Sequence, residues 1–207
     1  MKDKPSAHAL GWRLRSVAYP FANQFLRVRQ DQLVWPDGQE HPFTYVELKP
    51  VVLIVPVTTD RRVVLIRQFR YTIDDWAWEV PAGGSHDFAV PATVQNSQAT
   101  HSDIGLGLTQ LAAKELLEEI GGTAGSITYI GHFYPAVGKL DAVFHIHLAT
   151  DVELMPSSPE PGEIIEIHPV SIDDALQMAR DGTLTSGASA LAILRCETQL
   201  RSLALRA

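Results

Sequence analysis

Glu115, Glu118 and Glu119 fall within five residues, in the stretch AAKELLEEIGG at 112–122. On a helix, positions i, i+3 and i+4 share a face, so these carboxylates would crowd one another. Like charges at that spacing repel by a few tenths of a kcal/mol per pair. One basic side chain, Lys114, adjoins them, and Gly121 and Gly122 follow at once. A divalent cation would relieve the crowding. Mg2+ takes hard oxygen ligands and is usually shared between one or two carboxylates and substrate phosphates. The upstream turn Pro81-Ala82-Gly83-Gly84 could add a backbone carbonyl. The rival reading is a merely solvated acidic face, the ordinary fate of charge on a surface helix.

Two other groupings invite a chemical reading. His145 and His147 lie two apart in a strand-like run, so they share a face. A zinc site needs a third ligand, and none stands at a recognisable spacing. Trp76 and Trp78 also alternate onto one face. They would either stack on a base, at about 1–3 kcal/mol per base, or pack in a core or an interface.

The elements that must hold these residues are strands in the first half of the chain. FLRVRQDQLVWPDGQEHPFTYVEL alternates around Pro36-Asp37-Gly38 and predicts a hairpin. VVLIVPVTT is continuously apolar, the mark of a strand buried on both faces. RRVVLIRQFRY and WAWEV follow as strands, the second stopping at Pro81 and the glycine pair. Residues 85–106 are small, polar and aperiodic, and predict a loop. Leu108, Leu111, Ala112, Leu116, Leu117 and Ile120 then form a helical stripe, which Gly121 is placed to end. SITYIGHFYP, DAVFHIHLAT and IIEIHPVS read as strands, and MPSSPEPGE between the last two as a loop. Ser171 predicts the N-cap of a helix that stops at Gly182. Residues 186–205 predict one final amphipathic helix around a buried, inert Cys196.

The 207 residues suit one large domain or a domain with an appendage. A formal charge of −7 disfavours nucleic acid as a partner. A single cysteine excludes an internal disulfide framework and a cysteine zinc cluster. No run of about 18 apolar residues spans a membrane, and MKDKPSAHALGW lacks the apolar core of a signal peptide. The expectation is a cytoplasmic protein.

With PAGG upstream, KELLEEIGG resembles the second half of the Nudix box, G-x5-E-x7-R-E-U-x-E-E-x-G-U, where U is a bulky aliphatic residue. LIRQFRY, WEVPAGG, YPAVG, EIIEIHPVS and DGTLTSGASALAIL resemble, in order, the ADP-ribose pyrophosphatase branch of the Nudix hydrolases. The box is modified. About 17 residues are inserted between Gly83 and Lys114. Lys114 stands where the family has arginine, Leu106 where it has an early glutamate, and Gly122 where it has an aliphatic residue. Asp87 and Asp103 lie in the insert but out of register.

The resemblance implies an α/β fold: a Nudix-type α/β/α sandwich with a mixed sheet over 46–207, preceded by a small β unit over 1–45 that builds a homodimer. It implies Mg2+, with Mn2+ as an alternative, on Glu115, Glu118, Glu119 and the Ala82 carbonyl. It implies substrate contacts from Arg70, Glu79 and Trp78, and a loop glutamate as the base that activates water. Glu163 is the closest match to that base, with Glu160 in reserve, and Glu118 joins the catalytic set. Glu166 is expected to face solvent. The implied reaction is hydrolysis of a nucleoside diphosphate linked to another moiety, ADP-ribose above all. A nucleotide-sugar hydrolase of other specificity, or a weakened nucleotide-binding protein, are the alternatives.

Overall fold

A computed structural model describes residues 4–84, 101–159 and 162–205, and for 101–106 the backbone alone. The chain divides into two compact units: Met1–Lys49 with Tyr134–Val143, and Pro50–Phe133 with Phe144–Ala207.

The smaller unit holds α1 (Pro5–Ala9), β1 (Arg13–Ala22), β2 (Leu26–Val34), β3 (Glu40–Leu48) and the short β9 (Leu140–Asp141). Its sheet order is β1-β2-β3-β9. The β2–β3 hairpin forms around the anticipated turn. Gly38 supplies a φ of +85°, and Asp37 accepts from the Gln39 N–H at 2.9 Å. Arg29 is buried in this sheet against Asp31, at 2.6 and 3.0 Å, and Glu47. The unit reaches past residue 45 and recruits a later segment. That segment pairs parallel with β3, at Val46–Leu140 and Glu47–Asp141.

The larger unit is built on a seven-stranded sheet. Its main path runs β11 (Ile165–Ser171), β5 (Arg62–Arg70), β4 (Val51–Thr58), β10 (Phe144–Leu154) and β8 (Gly122–Phe133). β6 (Asp75–Glu79) pairs with β5, and β7 (Ala82–Gly84) with β4. β4 and β10 run parallel and the other pairs antiparallel, so the sheet is mixed. β4 is central, which is why its apolar run is unbroken.

Alternation along the strands feeds two cores. Val52, Ile54, Val64 and Ile66 meet Leu108, Leu111, Ala112, Leu116 and Ile120 of α2 (His101–Ile120). Leu53, Val55, Val57, Leu65 and Ile146 meet α3 (Ile172–Asp181), α4 (Gly187–Arg195) and α5 (Glu197–Ala204) through Ala175, Leu176, Ala192, Ile193 and Leu200. Each such side chain, fully buried, contributes about 1.5–3 kcal/mol. The result is the expected α/β/α arrangement.

The caps agree with their sequence signals. The Ser171 side chain accepts from the Asp174 N–H, and Gly182 closes α3 in the left-handed region. Gly121 ends α2 at φ +64°, where a Cβ would overlap the Met155 carbonyl. Gly122 abuts Leu116: a Cβ there would stand 2.9 Å from its Cγ. That crowding explains the missing aliphatic residue at the end of the box.

Three expectations need correction. Residues 101–106 are helix rather than loop, since a formed helix adds residues cheaply even without an apolar stripe. The remainder of the insert, residues 85–100, lies outside the described residues. The final helix is two helices, broken at Cys196 with φ −89° and ψ 0°. The Cys196 N–H is shared between the Ala192 and Ile193 carbonyls in a tightened turn. Ala82–Gly84, expected to end a strand, form one.

Candidate active site

Helix periodicity divides the three glutamates. Glu115 and Glu119, one turn apart beside the apolar stripe, are only 9% and 3% exposed. Glu118 sits on the half-exposed shoulder, where Lys114 Nζ approaches its Oε2 to 2.7 Å. The lysine thus holds one acid of the cluster by a single point contact, where an arginine would bring a planar fork.

β7 forms the floor beneath the helix. A Cβ on Gly83 would overlap the carboxylate of Glu115, so glycine leaves the space this carboxylate occupies over β7. The Ala82 N–H donates to Glu119 Oε2 at 3.1 Å. The ladder settles where the Ala82 carbonyl lies. Pro81 O accepts from the Ile54 N–H at 2.9 Å, so Pro81 and Gly83 bond to β4. Ala82 between them therefore turns both polar groups to the open edge.

Arg70 closes the site from β5. Its Nε and Nη2 donate to Glu79 Oε1 and Oε2 at 2.6 and 2.8 Å. The hydrogen bonds to Glu79 raise the guanidinium above its ordinary pKa against the effect of burial, and the charges of Glu79, Glu119 and Glu163 add to the shift. Glu163, half-buried just before β11, is thereby placed within electrostatic reach of the cluster. The carboxyl of Glu119 is pushed well above the carboxylate range, by burial first and then by Glu163 and Glu115. The Ala82 N–H and Arg70 work against that shift.

This geometry can hold a hard divalent cation. Among the described residues no three His, Cys, Asp or Glu side chains form a ready cage, and Glu118 is paired with Lys114. The inward donors are two carboxylates, Glu115 and Glu119, and the Ala82 carbonyl. That set suits Mg2+, which commonly relies on one or two carboxylates and on substrate phosphates for the rest. A cation there would also offset the burial and the repulsion that push Glu119 toward protonation.

The structure brings together Arg70, Glu79, Ala82, Glu115, Glu119 and Glu163, with Glu118 at the margin. It does not bring Trp78 there. Trp78 alternates to the opposite face of β6, packs on the core beneath α3 and α4, and meets His168 edge-on with ring centroids 4.8 Å apart. Trp76 lies against Phe69 and under the Arg67 guanidinium. Glu166 is exposed and pairs with Arg67 at 3.5 Å. Glu160, Asp87 and the side chains of Asp103 and Leu106 lie outside the described residues. The Arg70–Glu79 pair was not foreseen as a pair. Its signal was the alternation that puts both residues on the face of Ile66.

His145 and His147 do share a face, the one turned to α2, and both are buried. The β8–β10 register slips at Ile130, so Tyr129 and His132 join them on that face. The Tyr129 hydroxyl stands 3.3 Å from Nδ1 of both His132 and His145. Among the described residues neither ring nitrogen of His147 has a well-formed hydrogen-bond partner, although the His145 backbone works against the effect of burial on its pKa. Burial holds both His145 and His147 near a pKa of about 4.

A fold with helices on both faces of a mixed sheet, and buried glutamates of one helix laid over a glycine strand, defines a class. The chain belongs to the NUDIX domain family, whose match spans residues 47–186. Within that family it is similar to an ADP-ribose pyrophosphatase. It is 26% identical over 177 residues to the CMP-5'-(N-acetyl-N-hydroxy-3-aminopropyl)phosphonate hydrolase of Streptomyces rubellomurinus, covering 85% of this chain and 78% of that one. It is 24% identical over 175 residues to the ADP-ribose pyrophosphatase of Bacillus subtilis, covering 84% and 85%. A crystal structure of an ADP compounds hydrolase shares the fold, with a TM-score of 0.73 over 92% of this chain and 95% of that one, at 15% identity.

Proposed function

We propose that this chain hydrolyses the pyrophosphate bond of a nucleoside diphosphate joined to another moiety, with ADP-ribose as the substrate and AMP and ribose 5-phosphate as the products. The observation that supports this reading is the convergence of Glu115, Glu119, the open edge of Ala82, Arg70 and Glu163 on one face of the sheet. Glu115, Glu119 and the Ala82 carbonyl would hold Mg2+, or Mn2+ in its place. Bound there, the cation would neutralise and orient the pyrophosphate. Arg70 donates to the phosphate oxygens. Glu163 takes the proton of the attacking water as its oxygen bonds to phosphorus. The bridging P–O bond breaks, and the departing phosphate leaves on ribose 5-phosphate or AMP according to which phosphorus is attacked. Glu118, held by Lys114, borders the metal side of the cluster.

A second reading, a CMP-linked substrate, is favoured only by the Streptomyces relative. The smaller unit builds a homodimer in this proposal. β1 has no fully buried residue, and Tyr19 and Phe21 on it are 45% and 52% exposed. Apolar rings on an edge strand are a surface that a partner usually covers. We place the enzyme in the cytoplasm.

The test is a panel of ADP-ribose, nucleotide sugars and CMP-linked compounds, with Mg2+, with Mn2+ and with chelator, and products resolved by chromatography. We expect equal yields of AMP and ribose 5-phosphate, abolished by chelation. Absence of metal-dependent cleavage across the panel refutes the reading. Light scattering coupled to size exclusion reads the dimer.

A further inference from the structure

We propose that Glu79 is a positioning residue, which grips one edge of Arg70 and so dictates which edge of the guanidinium meets the substrate phosphate. The inference rests on the proposed hydrolysis and goes beyond it, because Glu79 acts through Arg70 rather than on substrate. Arg70 pairs across the strands with Asp75, whereas Glu79 pairs with Ile66. Four residues of strand separate the two levels, about 13 Å. The side chains therefore meet by leaning toward each other across the level of Gln68 and Ala77. Glu79 occupies Nε and one N–H of Nη2. Of the five guanidinium donors, those of Nη1 are not used by Glu79. The grip also keeps Arg70 from collapsing onto Glu119 and Glu163, whose charges it already senses. Those carboxylates are needed for the cation and the water. The ion pair is net neutral, so Arg70 serves as an oriented donor more than as a charge.

The experiment compares Glu79→Gln, Arg70→Ala and the double variant in steady-state hydrolysis of ADP-ribose with Mg2+, alongside ADP-ribose binding by calorimetry. Loss of one charge-assisted grip should lower kcat about tenfold to a hundredfold, with KM moving less than about threefold. In the Arg70→Ala background, Glu79→Gln should cost nothing further. Millimolar guanidinium chloride should restore part of the activity of Arg70→Ala, because Glu79 can seat the free cation, and none in the double variant. Glu79→Asp, charged but too short for the stretched contact, should lose activity as Glu79→Gln does and guards against misfolding of the amide. Losses that multiply, or equal rescue of the single and double variants, overturn the inference while the hydrolase reading stands. A wild-type protein that neither binds nor cleaves ADP-ribose overturns both.

Discussion

Replacing His147 with leucine should make the protein more stable, and most of all in acid. His147 is fully buried on β10 with two unpartnered ring nitrogens. Its neighbours on that face are Tyr129, with ring centroids 5.4 Å away, and His145. Burial lowers its folded pKa from 6.5 to about 4. A depressed pKa means that the unfolded chain binds the proton first. The stability it contributes is whole above about pH 6.5 and is lost as pH falls toward about 4. The full loss is about 3 kcal/mol, of which roughly 2 kcal/mol has gone by about pH 5. Leucine has no proton to bind, so this share of the acid sensitivity disappears. Leucine also removes two unsatisfied buried nitrogens, a gain of about 1 kcal/mol at neutral pH. Urea unfolding of wild type and His147→Leu at about pH 7.5 and about pH 5 reads both effects. Glu119 titrates in both proteins, so its share cancels, while removing His147 also lifts one of the causes that lower the His145 pKa and adds to the advantage of the variant in acid. We expect an advantage of about 1 kcal/mol that grows to about 3 kcal/mol in acid. A variant that loses stability with acid as steeply as wild type would refute the reasoning and show that His147 finds a proton partner in the folded protein.

Three further outcomes are expected. Glu119→Gln keeps an acceptor for the Ala82 N–H but removes a cation ligand; turnover should fall at least about a hundredfold, with apo-protein stability within about 1 kcal/mol by thermal unfolding. A loss of several kcal/mol would instead make the acid structural. Lys114→Arg should raise kcat by less than about tenfold by fixing Glu118 more narrowly, with substrate affinity unchanged; unchanged kinetics would show that this contact does not limit the reaction. Gly83→Ala should push the Glu115 carboxylate off β7 and raise the Mg2+ concentration for half-maximal rate about tenfold or more, and an unaltered metal dependence would refute the cradle.

The sequence made the cores legible where burial and period agree. The unbroken β4 run, the α2 stripe and the Ser171 and Gly182 caps each carry a local signal strong enough to decide local structure. The acids of α2 were legible as a group but not as individuals. Their separation into buried Glu115 and Glu119 and shouldered Glu118 depends on the angle at which the helix meets the sheet. Alternation placed Arg70 and Glu79 on one face, yet their union needs the strand register. Trp78 had the chemistry of a stacking platform, and only the side of the sheet on which α3 and α4 pack decides where it points. The start of α2 at His101 gave no signal, because polar and small residues there continue a helix rather than found one. The return of residues 134–143 to the smaller unit was equally silent, since the β9 segment is two residues long.

That return has a consequence for how the chain is made. β3 is complete once residue 48 leaves the ribosome, but its neighbour β9 does not exist until residue 141. At roughly 5–20 residues per second, the edge of β3 at Val46 and Glu47 waits about 5–20 seconds for its last strand. During that wait the nascent sheet offers an open edge to any neighbouring chain. The smaller unit is therefore not a cassette that can be cut away or grafted by its first 49 residues. Its final strand is synthesised inside the other unit, and the two are tied by the order of translation.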